Sequence, residues 1–228
     1  MPSTYERLLC TSEDRRAAFR ELPLVQRALC GTVNVNEYVR FLTQAWHHVR
    51  HTVPLMMGMG YHLPDRLQWL QPAIAEYIAE EIGHDEWILA DIEASGGDRR
   101  MVRDSAPLAA TELMIAYAHD SVRRRNPLGF LGMVFVLEGA SVAFATRVAD
   151  ALQASLRLPA NAFTYLRSHG SLDGGHVHFY ANLVDRLTDA GDQEVVVEAA
   201  GRFQDLYAAI FRALDTTTES SPCAPALA

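Results

Sequence analysis

Apolar residues recur every three or four positions along most of the chain, which is the spacing of side chains on one face of an α-helix. No stretch alternates apolar and polar residues long enough to predict a strand. The fold class is therefore predicted to be all-α, a single-domain bundle of about seven helices over residues 1–215, with a disordered tail at 216–228 rich in Thr, Ser, Pro and Ala. The predicted helices cover residues 12–29, 36–57, 65–95, 108–124, 160–190 and 193–214, and a further, buried helix follows Pro127 and runs to about residue 156.

One apolar segment resembles a membrane span, since residues 126–146 contain a single charged residue, Glu138. Three glycines, Pro127 and the central carboxylate make it a poor lipid-facing helix, so we interpret it as the central helix of a soluble bundle. An unpaired carboxylate would be costly in that position. Glu138 is thus predicted to be a metal ligand, and a salt bridge to a buried arginine is the alternative.

The predicted helix over residues 160–190 carries two imidazoles and a carboxylate on its apolar face. His169, Asp173 and His176 follow one another at spacings of four and three residues, in register with the apolar positions. Burying the three side chains without partners would cost several kcal/mol. This spacing therefore predicts that groups on the facing helices satisfy the three side chains, either directly or as further ligands of a shared metal ion.

A second pair of candidate ligands interrupts the apolar stripe of the predicted helix over residues 65–95. Glu81 and His84 are three residues apart, so one turn of helix would bring both side chains to one metal cluster. The alternative is a surface glutamate beside a half-exposed histidine, because residues 80–86 are strongly charged.

Six predicted ligands from three helices make a mixed set of nitrogen and oxygen donors. Such a set suits iron or manganese and lacks the thiolates that favour structural zinc. It divides into two metal sites, each with imidazole and carboxylate, bridged by one glutamate. The set consists of Glu81, His84, Glu138, His169, Asp173 and His176.

Composition narrows the classes of function and of partner. The net charge is -8, which argues against nucleic acid and against an anionic membrane as partners. Every basic residue is arginine, so Schiff-base chemistry, pyridoxal phosphate and a P-loop are excluded. Three scattered cysteines indicate reduced thiols, and the N-terminal residues lack the apolar core of a signal peptide. A cytoplasmic location is the expectation.

The order of these ligands resembles that of the haem-oxygenase-like dimetal oxidases and oxygenases. The resemblance covers about residues 34–215 and rests on Glu81-x-x-His84, on the lone Glu138, and on the later His-x-x-x-Asp-x-x-His motif. These proteins share their fold with the TenA thiaminases and the pyrroloquinoline-quinone synthase group. The implied fold is a haem-oxygenase-like, TenA-like helical domain.

The resemblance implies an O2-dependent oxidoreductase with a non-haem di-iron centre. Two Fe(II) ions per chain, or manganese in their place, would be held by the six ligands, with Glu138 as the catalytic carboxylate. The implied partners are O2 and a small organic substrate, such as an amino acid, an amine or a fatty acid derivative. No nucleic acid or membrane is expected, and a homodimer is left open.

Some members of that family use a seventh ligand from the helix equivalent to residues 36–57. This sequence offers His47, His48 and His51, of which His48 shares the apolar face and is favoured. In the same helix Arg50 is a candidate for binding a substrate carboxylate. The candidate pocket residues are Tyr77, Tyr117, Tyr165 and Tyr180, each of which could equally be a core residue.

This sequence differs from the related families at active-site positions, and two further classes of function stay open. Ala45 stands where TenA proteins carry an active-site aspartate, and the helix with Glu138 has no cysteine nucleophile, which disfavours a thiaminase. Haem oxygenase proper needs one axial histidine and leaves the other ligands unexplained. The open alternatives are a metal-free enzyme of the TenA type and a non-catalytic binding protein of the same fold.

Overall fold

Helices and short connections make up the described part of the chain, in which no strand occurs. The structure is a computed structural model that describes residues 2–171 and 173–215, apart from the side chains of residues 169–176. Two 3₁₀ helices, Asp65–Leu70 and Ala160–Ala162, join the α-helices. The α-helices are α1 (Thr4–Arg20), α2 (Pro23–Leu29), α3 (Val35–Val49), α4 (Thr52–His62), α5 (Gln71–Glu81), α6 (His84–Ala94), α7 (Arg99–Arg103), α8 (Ala109–Arg124), α9 (Gly129–Leu156), α10 (Thr164–Ser171), α11 (Asp173–Asp185) and α12 (Ala190–Leu214).

Helices α8, α9 and α12 match the predicted segments, whereas the first two predicted helices are each divided. Helix α1 begins at Thr4 because Ser3 and Glu6 form a reciprocal capping box, so the predicted N-cap, Ser12, lies inside the helix. The chain then turns before Pro23, which starts α2. Helices α3 and α4 are separated near residue 50, since Pro54 has no N–H to continue the hydrogen-bond ladder.

The two predicted helices that carry most of the candidate ligands are also divided. Between α5 and α6 the chain passes through Gly83, whose φ of +94° is a left-handed conformation that favours glycine. The segment predicted as a helix over residues 160–190 begins with a 3₁₀ turn and continues as α10 and α11. The predicted tail at 216–228 lies outside the described residues.

Helix α9 lies at the centre of the bundle and packs most extensively against α12 and α10. A Cβ atom at Gly132 would lie 2.5 Å from the backbone nitrogen of Ala200, so only glycine permits this close approach of α9 and α12. Helix α9 is long and apolar enough to cross a membrane, but half of its most apolar stretch is buried inside the protein. That burial is typical of the core helix of a soluble protein, as the sequence predicted.

Among the described residues, Cys10 is an exposed free thiol. The compartment stays a prediction.

Candidate metal centre

Glu81 and His84 meet across a break between two helices and do not stack on one continuous helix. Glu81 ends α5 and His84 begins α6, with the left-handed Gly83 between them. Their side chains are joined by a contact of 3.1 Å between His84 Nδ1 and Glu81 Oε2. The imidazole is 3% exposed and the carboxylate 17% exposed. The predicted pair is thus brought together, but through a turn that the helical spacing did not predict.

Glu138 lies on α9 beside this pair. Burial, together with the negative charge of Glu81, raises the pKa of Glu138 to about 8, and the nearby Tyr77 opposes the rise. The two carboxylates are therefore close enough to repel one another, although they come from different helices. No arginine in the described part of the chain pairs with Glu138, so the alternative of a buried salt bridge finds no support there.

The other three predicted ligands cannot be placed against this group. His169 lies in α10, and Asp173 and His176 lie in α11, but their side chains are outside the described residues. Among the side chains that are described, no three His, Cys, Asp or Glu residues form a cluster that could hold a metal ion. The complete set of six ligands stays a prediction.

The three histidines near the end of α3 have different surroundings. His47 Nε2 lies 3.0 Å from the Ser105 hydroxyl, and His51 Nδ1 lies 3.1 Å from His119 Nε2. His48 is buried and its ring packs edge-on against Tyr207, with ring centres 6.2 Å apart. Of the three, only His48 contacts a residue that lines the cavity described below. Its role as a seventh ligand is still untested.

Asp91 is a buried carboxylate that the sequence analysis missed. It accepts hydrogen bonds from the backbone N–H groups of Thr164, at 3.1 Å, and Tyr165, at 2.8 Å, and so caps the first turn of α10. Burial raises the pKa of Asp91 and these two hydrogen bonds oppose the rise. Asp91 thus ties the helix of His84 to the helix of His169. An acidic residue next to Ile92, within the apolar stripe, was the signal available in the sequence.

A cavity of about 280 Å³ opens beside Glu138, between α1 and α9. Tyr5 and Tyr180 line it near Phe135, whereas Arg16 and Arg20 line it near Phe19 and Phe144. A second cavity, of about 90 Å³, adjoins it and shares Phe19, Ala140, Phe144 and Tyr207. The walls of both are mainly apolar.

Only some of the predicted pocket residues line these cavities. Tyr180 lines the larger cavity and Tyr165 the smaller one, and Tyr77 contacts Glu138 from the protein interior. Tyr117 instead packs on Phe203. Arg50 is exposed and stacks over Trp46, away from both cavities. The sequence analysis missed Tyr5, Arg16, Arg20 and Tyr207, because spacing along the chain does not reveal that α1 and α12 enclose a cavity with α9.

The comparison with known families decides the assignment of this chain. A family described as iron-containing redox enzyme matches residues 39–208, which include every predicted ligand. The chain belongs to this iron-containing redox enzyme family. No curated protein matches it in sequence.

Solved structures place this member of the iron-containing redox enzyme family in the haem-oxygenase-like fold, as predicted. A domain of unknown function with that fold, from Shewanella denitrificans, has a TM-score of 0.79 and 23% identity over 90% of this chain and 88% of its own. A TenA homologue from Pseudomonas syringae has a TM-score of 0.77 and 12% identity over 93% of each chain. The haem-bound haem oxygenase-1 of Synechocystis has a TM-score of 0.75 and 13% identity over 94% of this chain and 93% of its own.

The described donors fit the iron that the family name implies. Glu81 and His84 are in contact, Glu138 is buried within electrostatic range of Glu81, and no described arginine neutralises Glu138. A divalent cation would offset the repulsion between the carboxylates, and nitrogen with oxygen donors suit iron.

Proposed function

We propose that this protein is a non-haem di-iron oxidase or oxygenase that uses O2 to oxidise a small organic substrate. The observation that supports it most directly is that buried Glu138, which lines a mainly apolar cavity, lies within electrostatic range of Glu81, whose carboxylate contacts His84. The family, described as iron-containing redox enzyme, supports the general class of redox enzyme. The set of nitrogen and oxygen donors supports the narrower proposal of a non-haem di-iron centre.

The ligands would be shared between two iron ions, with manganese as the alternative metal. Glu81, His84 and Glu138 would supply three of them, and Glu138 is the proposed catalytic carboxylate. The remaining ligands, proposed from their spacing, are His169, Asp173 and His176, with His48 as a seventh. When bound, ferrous iron supplies the electrons and the open coordination positions for reaction with O2.

Neighbouring side chains hold this site in place and keep water out. Tyr77, which lies beside Glu138, would help to orient the carboxylate, as groups behind metal ligands commonly do. Tyr5, Phe135 and Tyr180 pack edge-on or tilted against one another, with ring centres 6.1 to 6.3 Å apart, at the same end of the cavity. These rings give the reacting groups an apolar, water-poor surrounding.

Counting bound iron tests the proposal. The full-length chain, loaded anaerobically with Fe(II) and freed of excess metal, should retain about two iron ions per chain. Glu138→Ala and Glu81→Ala should each reduce that number. Glu76→Ala is a matched control, because Glu76 lies exposed on the same helix as Glu81. If the unaltered chain retains well under one iron ion, the di-iron proposal is wrong and a metal-free enzyme or a binding protein of this fold takes its place.

Reaction with O2 tests the redox part separately. Mixing the ferrous protein with O2 in a stopped-flow instrument should give a transient visible absorption that Glu138→Ala abolishes and Glu76→Ala preserves. An iron-loaded protein that shows no such change would be a metal-binding protein without this activity. Sedimentation of the same samples, with and without iron, would decide whether the protein is a monomer or the homodimer that the proposal leaves open.

A further inference from the structure

The cavity beside Glu138 is elongated, because helices α1 and α9 run in the same direction along its two sides. Tyr5 on α1 packs against Phe135 on α9, and fourteen residues later Phe19 packs against Phe144, with ring centres 6.3 and 6.2 Å apart. Glu138 lies three residues beyond Phe135, near the first of these contacts. The cavity therefore extends along both helices from the candidate metal centre to Phe19.

Positive charge borders the cavity along the second half of α1, from Arg16, whose guanidinium lies beside Ser12, to Arg20 near Phe19. Arg16 and Arg20 both line the cavity there, and their side chains are 33% and 43% exposed, so a ligand arriving from solvent can reach them. Glu13 is the acidic residue that pairs with both, and it too is largely exposed. Two guanidinium groups against one carboxylate leave a net positive charge along this part of the cavity, in a protein whose overall charge is negative.

Arg16 is held in place and still has donors to offer. Its Nε donates to the Ser12 hydroxyl at 3.1 Å, and its Nη2 donates to the Leu9 carbonyl at 3.0 Å. These contacts with its own helix fix the guanidinium plane. Its Nη1 makes no hydrogen bond with any residue in the described ranges, and Arg20 has a single, long contact of 3.4 Å with Glu13. A fixed guanidinium with unused donors is suited to a carboxylate.

We propose that Arg16 and Arg20 bind the carboxylate of a small, mainly apolar substrate, whose hydrocarbon part extends along the cavity toward Glu138. The larger cavity, of about 280 Å³, is near the lower limit for small-molecule sites, which restricts the substrate to a small one. The inference rests on the proposed function in one respect only, namely that the hydrocarbon end of the substrate, near Glu138, is the end that reacts.

The position of α1 agrees with a role in substrate selection. The family match covers residues 39–208 and therefore does not include α1. The candidate ligands lie within that region and both arginines lie outside it. Metal binding and recognition of the carboxylate would thus be assigned to different parts of the chain.

Binding of three probes with the same hydrocarbon chain tests the charge preference. Calorimetric titration of the full-length protein with octanoate, octylamine and octanol should give measurable binding for octanoate and at least roughly tenfold weaker binding for the other two. The titrations are run with and without Fe(II). Equal binding of the three probes, or no binding of octanoate at millimolar concentration, overturns the inference.

Substitutions on α1 identify the residues responsible. Arg20→Gln and Arg16→Gln should each weaken octanoate binding roughly tenfold, whereas Arg15→Gln should not, since Arg15 pairs with Asp205 outside the cavity. Arg16→Lys keeps the charge without the fixed fork and should give an intermediate loss. Because Arg16 also holds α1 together, each melting temperature is measured, and Arg20→Gln is the decisive variant if Arg16→Gln does not fold.

Removing the carboxylate that competes for the two arginines should strengthen ligand binding, which a purely structural role of the arginines would not predict. Glu13→Gln frees both arginines from their competing carboxylate and should tighten octanoate binding roughly two- to fivefold. Weaker or unchanged binding contradicts the inference. If the chain retains no iron but binds octanoate in preference to the other probes, this inference is supported and only the proposed function is overturned. If the chain retains iron but does not bind octanoate, the proposed function stands and this inference is overturned.

Discussion

The carboxylate of Asp91 accepts the backbone N–H of Tyr165 at 2.8 Å, although the two residues are 74 positions apart in the chain. Asp91 lies about two turns after His84 in α6, and Tyr165 is in the first turn of α10. A helix normally receives its N-terminal cap from the residue just before it. Here the cap comes from a neighbouring helix, which fixes the position of α10 relative to α6.

Removal of this tertiary cap should destabilise the protein strongly. Asp91→Ala would leave the buried N–H groups of Thr164 and Tyr165 without their acceptor, and we expect a loss of about 2–4 kcal/mol in the free energy of unfolding. Asp91→Asn keeps one acceptor oxygen and should lose less. Urea denaturation measures both. Asp98→Ala, which removes an exposed cap from the short helix α7, should cost about 1 kcal/mol or less, and a similar cost for Asp91→Ala would contradict this account.

The close contact of α9 with α12 predicts opposite outcomes for two glycines on one helix. Gly132→Ala should destabilise the protein by about 1–3 kcal/mol, because the new Cβ would overlap the backbone of α12 at Ala200. Gly139→Ala meets nothing within 4 Å and should be neutral or stabilising by up to about 1 kcal/mol. Thermal unfolding of the two variants checks the order, and a reversed order would place α9 and α12 farther apart than described.

The break between α5 and α6 allows stability to be separated from metal binding. Gly83→Ala and Gly96→Ala both place a Cβ on a left-handed residue with open space around it, so each should cost about 1 kcal/mol of stability. Only Gly83 lies between Glu81 and His84, so only Gly83→Ala should also weaken Fe(II) binding. Equal iron retention by the two variants would show that the turn at Gly83 does not set the geometry of the pair.

A pair of histidines away from the candidate centre predicts how stability changes in acid. Burial, with smaller contributions from the charges of His119, Arg50 and His47, lowers the pKa of His51 to about 4. Burial and the charge of Arg123 lower the pKa of His119. Below about pH 6.5 the unfolded chain therefore binds more protons than the folded one. The contribution of this pair to the free energy of unfolding is complete above that pH and is lost as the pH falls toward 4.

The measurement for this pair is urea denaturation across that range of pH. The free energy of unfolding is plotted against pH. His51→Gln removes the part of that slope that His51 contributes, so the variant should lose less stability on acidification than the unaltered protein. An identical slope in both proteins would mean that His51 accepts a proton as readily in the folded state as in the unfolded one.

The spacing of apolar residues determined the helical class of the fold and the long central helix with its single Glu138, and it identified Glu81 and His84 as candidate ligands. These features follow from which face of a helix is apolar, and that information is local. The positions of the helix breaks were less well predicted. At Gly83 and near Pro54 the same apolar periodicity continues across the break, so the pattern alone reads as one helix.

The tertiary structure alone decided what the helices enclose. Periodicity shows that one face of α1 is buried but not that Arg16 and Arg20 border a cavity against α9, and nothing in the sequence near Thr164 shows that its cap is Asp91. Contacts between residues distant in sequence depend on how whole helices pack, and many arrangements satisfy the same local pattern. The sequence thus determined the elements and the candidate ligands, and the packing of α1, α6, α9 and α10 decided the shape and charge of the site.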